Sequence, residues 1–171
     1  MRKPIALFVA LLSIVSFVRL AGATEDRLSK DDKEIIKDAM RNLQAVSGQS
    51  RLAREKAENE RVQHLARVIV GGDDKMIDQL RELAKKYDFT YDSDPTKPDA
   101  KEGKQLAKEK GKQFDREYVD NMVKQHEELL GIFKQGAKSD NPDVREWFDK
   151  KEAAIREHLD QAQVAAKELR D

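Results

Sequence analysis

Residues 88–113 read DFTYDSDPTKPDAKEGKQLAKEKGKQ, and this stretch decides how the chain folds. Its first half holds Asp92-Ser93-Asp94-Pro95 and Lys97-Pro98-Asp99. Proline lacks the amide donor and its ring clashes with the preceding turn, so this half cannot be regular helix. Over about residues 99–110 the Lys/Glu/Gln-rich pattern predicts a short surface helix with a sparse apolar stripe, Leu106 and Ala107, ended by Gly111. Half helical and half extended, these 26 residues can span on the order of 50 Å. A helix of some 25 residues is roughly 38 Å long. The connection therefore crosses the full length of a bundle and leaves the long helices on either side of it parallel. An up-down-up-down path would not need such length.

Four long amphipathic patterns flank it. Ser29-Lys30-Asp31-Asp32 forms a capping box, and the first helix carries Ile36, Ala39, Met40, Leu43, Val46, Ser50, Ala53 and Ala57 at steps of three and four. Gly48, Gln49 and Ser50 weaken its middle and invite close approach by a neighbour. After a turn at residues 57–60, the second helix carries Val62, Leu65, Ala66, Ile69, Asp73, Met76, Leu80, Leu83 and Tyr87. Gly71-Gly72 lies inside it; each helical glycine costs about 1 kcal/mol relative to alanine, so the pair predicts a bend, a tight approach or a loosened turn. The third helix, about residues 114–134, runs through Phe114, Tyr118, Met122, His126, Leu129, Leu130 and Phe133, with Gly136 as its C-cap. Asn141-Pro142-Asp143 opens the fourth: asparagine as cap, proline in the first turn, then an acid. Its stripe is Val144, Trp147, Phe148, Ala154, Ile155, His158, Leu159, Ala162, Ala165 and Leu169. The fold class is all-α: a four-helix bundle with a long crossover, containing a short helix, between helices two and three.

Ahead of the bundle, Met1-Arg2-Lys3, an apolar run over residues 5–18 and Ala21-Gly22-Ala23 make a Sec-type signal peptide with cleavage near Ala23-Thr24. Residues 1–23 are thus expected to be removed, leaving residues 24–171 as one domain in the periplasm or outside the cell, with no stable membrane insertion. Without Arg2, Lys3 and Arg19, the 33 basic residues fall to 30 against 33 acidic ones, a net charge of −3. That balance gives no electrostatic drive toward nucleic acid or anionic lipid. The chain has no cysteine, which removes disulfides, thiolate metal sites and cysteine nucleophiles together. Such a domain must hold on packing alone.

Three titratable residues, Asp73, His126 and His158, fall where three different apolar stripes call for a hydrophobic side chain. A buried polar group costs free energy unless it finds a partner. One reading is a structural network, with the aspartate accepting from one imidazole and the other histidine bonded to a tyrosine or water. The other is a mononuclear metal site, since imidazole nitrogen and carboxylate oxygen are ordinary ligands for zinc or iron. The network is the favoured reading at this level. A di-iron centre needs Glu-x-x-His on two helices, and the residues three before His126 and His158 are Val123 and Ile155, which argues against ferroxidase or oxygenase chemistry. Ser50, the inward serine of the first helix, sits on no strained nucleophile turn. Gly71-Gly72 lacks the neighbouring Lys-Ser/Thr of a phosphate loop. His64 lies off its stripe and reads as a surface residue.

From Leu43 onward the chain resembles the bacterial exported domain-of-unknown-function 4142 family. The residues that carry the resemblance are Leu52-Ala53 with Ala57, Val62 with Leu65-Ala66, Leu80 with Leu83-Ala84, Phe114-Asp115 with Tyr118, Met122-Val123 and His126, and His158-Leu159 with Ala162. The resemblance implies a ferritin-like four-helix bundle and an extracytoplasmic location, and almost nothing of function. The chain departs from the family in the second helix, where members usually carry Asp-His after a methionine-valine step. Here the stretch is Ile69-Val70-Gly71-Gly72-Asp73, so the family's histidine falls on Asp73 and its aspartate on Gly72. A carboxylate often found in the first helix aligns with Val46. These readings give an exported bundle without enzymatic activity and without cofactor, in an interaction or stress-protective role with an unidentified protein partner. The alternative is a protein binding one divalent metal, such as zinc or iron, through Asp73, His126 and His158.

Overall fold

The computed structural model describes residues 27–91 and 101–170; the expected signal peptide and the proline-containing part of the crossover lie outside them. Five helices follow in order: α1 (Lys30–Lys56), α2 (Glu60–Lys86), α3 (Lys101–Leu106), α4 (Gly111–Gly136) and α5 (Pro142–Glu168). Among the described residues there is no strand.

The helix starts follow from local chemistry. Ser29 accepts from the Asp32 amide at 3.0 Å while the Asp32 carboxylate accepts from the Ser29 amide at 3.0 Å, which closes the expected capping box on α1. Asn59 caps α2 by accepting from Arg61 and Val62 amides at 2.9 and 3.3 Å. Asn141 does the same for α5 with Asp143 and Val144 at 3.0 and 3.2 Å. Each cap satisfies amides that the first helical turn leaves without a partner.

Contacts between the helix ends fix the topology. Asp115 at the start of α4 accepts from the Glu58 and Asn59 amides at 3.2 and 2.9 Å, so the α1–α2 turn sits beside the start of α4. Ser139, just past α4, donates to Asp32 at the start of α1. Helices α1 and α4 are therefore antiparallel. At one end of α2, Tyr87 donates to Asp143 at 2.7 Å and to Asn141 at 3.2 Å; at the other, Arg61 pairs with Glu168. Helices α2 and α5 are antiparallel too. It follows that α2 and α4 run parallel. Lys56 secures the far end of the connection between them by donating to the carbonyls of Ala107 and Glu109 at 2.6 and 3.0 Å.

Each long helix packs on two others, α1 on α2 and α4, α5 on α4 and α2, around one core. Ile36, Met40, Leu43, Ile69, Leu80, Phe114, Tyr118, Met122, Leu129, Phe133 and Phe148 fill it with exposures under 2%. Phe133, Trp147 and Phe148 form an aromatic cluster with ring centroids 4.9–5.7 Å apart near the α4–α5 turn.

Several local expectations change. The short helix spans only Lys101–Leu106, and of its two stripe residues Leu106 is buried while Ala107 is exposed. Gly111 does not end it but begins α4, in a left-handed conformation at φ +56° that glycine adopts without strain. Gly136 is the last residue of α4 rather than a cap beyond it. Its lack of a side chain admits the Phe148 ring, whose Cγ would lie 2.4 Å from a Cβ there. Gly48 faces open space; the close contacts of that stretch come from Ser47 and Ser50 instead.

Candidate metal centre

The three inward polar residues converge. Asp73 of α2, His126 of α4 and His158 of α5 offer ligand atoms that all lie within 4.8 Å of one another. The stripes that carry them keep their register over the whole helix, so each residue points inward at the same level of the core. Asp73 and His126 have no exposed surface and His158 is 5% exposed. The two imidazole rings meet edge to face, with centroids 5.5 Å apart and planes at 80°.

The proton positions follow from the hydrogen bonds. His126 Nδ1 lies 2.8 Å from the carbonyl oxygen of Met122, one turn earlier on α4. A carbonyl can only accept, so Nδ1 carries the proton and Nε2 keeps its lone pair. Burial is the main reason the ring stays neutral: it pushes the His126 pKa down to about 4, helped by the nearby His158 and opposed by the Met122 carbonyl. At neutral pH this imidazole is an uncharged donor with a fixed tautomer. Asp73 is shifted the other way. Burial raises its carboxyl above the usual range, and the neighbouring His158 only partly offsets that.

The protein atoms supply part of the network expected from the sequence. Asp73 Oδ1 and His158 Nδ1 stand at ion-pair distance, 3.5 Å, long for a hydrogen bond, and His126 bonds to backbone rather than to a tyrosine. Both Asp73 oxygens, His126 Nε2 and His158 Nδ1 are buried without a hydrogen-bond partner. Each such atom costs roughly 1–3 kcal/mol.

Sequence reasoning missed the polar pair beside the cluster. Ser50 and Tyr118 share a hydrogen bond of 3.0 Å across α1 and α4, and the Ser50 hydroxyl also reaches Met122 Sδ at 3.6 Å. The tyrosine was legible only as a stripe residue, because a ring can be core while its hydroxyl is polar. Burial raises the Tyr118 pKa, and the Asp73 charge adds to this, which places the phenol within electrostatic reach of the cluster. Ser50 is committed to Tyr118 rather than to a histidine, so no Ser–His pair forms through it. His64 is exposed, as expected, in a groove with Arg61, Leu65, Asp160, Gln161 and Val164. Among the described residues, no helix is long and apolar enough to cross a membrane.

Fold and site together define a class: an all-helical protein with one buried carboxylate–diimidazole cluster. The chain matches the family described as Domain of unknown function (DUF4142) over residues 18–164 and belongs to it. No curated protein and no solved structure matches the chain significantly.

Proposed function

We propose that this protein binds one divalent metal ion, zinc or iron in class, between Asp73, His126 and His158 in the middle of a ferritin-like four-helix bundle. The observation that carries this reading is that the donor atoms there are buried, within 4.8 Å of one another and without a hydrogen-bond partner. A network held only for packing would be expected to satisfy its own members, since a half-satisfied one is worse than an apolar core. Ligand atoms around a tetrahedral ion at roughly 2.0–2.2 Å lie about 3.3–3.6 Å from one another, so small side-chain rotations would bring the three into coordination. Three protein ligands leave a fourth position open. The raised Asp73 carboxyl would release its proton as the ion binds, and the neutral His126 needs no such step.

The role is binding rather than turnover. Asp73 and His126 have no exposed surface, which leaves a substrate no approach to them. The basic, apolar and small-residue pattern at the N-terminus supports an extracytoplasmic, periplasmic location. Elemental analysis of protein purified without a histidine tag and reconstituted with zinc or iron(II) tests the reading. We expect about one ion per chain and a concentration-dependent rise in thermal midpoint, both lost in His126→Leu. Protein that takes up neither ion, with a midpoint indifferent to chelator, refutes it.

A further inference from the structure

Gly72 immediately precedes Asp73, and what it touches is His158. A Cβ built on Gly72 would lie 2.8 Å from His158 Cε1 and 3.1 Å from His158 Nε2, well inside the ~3.5–4.0 Å at which such atoms rest. The imidazole therefore leans on bare backbone. Its Nδ1, on the other side of Cε1, is the atom beside Asp73 Oδ1. The adjacent Gly71 differs: it is exposed and nothing lies within 4 Å of a Cβ there. Two neighbouring glycines with the same intrinsic cost to a helix thus stand in opposite surroundings. Of the three cluster residues, His158 is also the one that reaches the surface at all.

We infer that Gly72 is a positioning residue for the metal centre: its missing side chain lets His158 approach α2 closely enough to share an ion with Asp73. This rests on the metal reading above. The claim is specific to Gly72, because any side chain there occupies the space of the ring edge, whereas one on Gly71 points into the open. Gly72 touches no ion itself and acts through the histidine.

A double-mutant cycle on the full chain in chelator, paired with zinc titration against a chromophoric competitor, tests it. Gly72→Ala should lower the thermal midpoint while His158 is present and raise it in a His158→Ala background, where the helix-favouring alanine meets no ring. Gly71→Ala should raise the midpoint in both backgrounds. Zinc affinity should fall ~10–100-fold in Gly72→Ala, the loss typical when the support of a ligand is disturbed, and hold in Gly71→Ala. The inference is overturned if Gly72→Ala has the same effect in both backgrounds, or if it binds zinc as tightly as the wild type. A wild-type chain that takes up neither zinc nor iron(II) overturns the metal reading, and the ion-binding role of Gly72 with it. The cycle in chelator still shows in that case whether Gly72 seats His158.

Discussion

Replacing Asp73 by leucine should make the metal-free protein more stable. Asp73 occupies a position of the α2 stripe between Ile69 and Met76, fully buried, with neither carboxylate oxygen hydrogen-bonded. Removing an unsatisfied buried polar group returns roughly 1–3 kcal/mol, more if it is charged. Burying a leucine adds roughly 1.5–3 kcal/mol of apolar transfer. Leucine branches at the same atom as aspartate, but its methyl groups are bulkier than carboxylate oxygens, and overpacking takes back roughly 1–3 kcal/mol. Taken at their midpoints these give a net gain of about 2 kcal/mol, or about 4–8 °C in thermal midpoint for a domain of this size. Urea unfolding in chelator, at pH 7, measures it through a shifted midpoint at constant slope. The same pair of proteins in zinc should behave differently. At a hundredfold excess over the dissociation constant the wild type gains about 2.7 kcal/mol, and Asp73→Leu gains nothing, so the gap closes or reverses. A variant that loses more than about 2 kcal/mol in chelator would show that Asp73 holds the native core together, and would refute the account of an unpaired, ligand-ready carboxylate.

Two further outcomes are expected. His126 has its pKa lowered from 6.5 to about 4 by burial, so between those values the unfolded chain binds a proton that the native one does not. Its contribution is present above pH 6.5 and is lost as the pH falls toward 4, by about 3 kcal/mol in all; Asp73, shifted upward, has the opposite slope, its contribution being lost as the pH rises. Denaturant unfolding of metal-free wild type and His126→Leu across pH 4–7 isolates the histidine, and a stability difference that does not change with pH would contradict it. At the end of α4, Gly136→Ala should cost about 1–3 kcal/mol by forcing the Phe148 ring aside. Gly48→Ala, facing open space in α1, should gain up to about 1 kcal/mol; equal effects of the two substitutions in urea unfolding would remove packing as the explanation.

What was legible in the sequence and what was not divides along a physical line. Stripe periodicity places a residue on a face, and the helix stripes carry Asp73, His126 and His158 to the same core because a regular helix keeps its register over many turns. The long α2–α4 connection told the parallel pair apart from an up-down-up-down path, since reach is a matter of residue count. Distances within the cluster are another matter. That His126 would use the Met122 carbonyl, and that His158 Nδ1 would stop 3.5 Å short of Asp73, depends on rotamers and on the separation of helices that periodicity does not encode. The glycines show the same limit. Gly48, Gly71, Gly72 and Gly136 look alike in the sequence, yet two face open space and two face a ring. Only the partner helix distinguishes them.

The arrangement of bonds around the cluster explains how a helical core can hold it. Polar ties join the helices both toward their ends, through Asp115 on the α1–α2 turn, Asp32 with Ser139, and Tyr87 on Asn141 and Asp143, and nearer the cluster, through Ser47 with Asp74 and Ser50 with Tyr118. Each end tie joins helices that the chain does not connect directly, so the spacing of α1 with α4 and of α2 with α5 is fixed at the ends as well as by core packing. Helices tied in this way and packed on Met40, Leu43, Ile69, Leu80 and Leu129 resist rearrangement around the polar cluster. Without that resistance the cheapest relaxation would be for His158 and Asp73 to close into an ordinary hydrogen bond and remove the cost. On the metal reading, a contact as long as the 3.5 Å between His158 Nδ1 and Asp73 Oδ1 would favour ion binding, because ligands that have already satisfied one another must be pulled apart before an ion can bind.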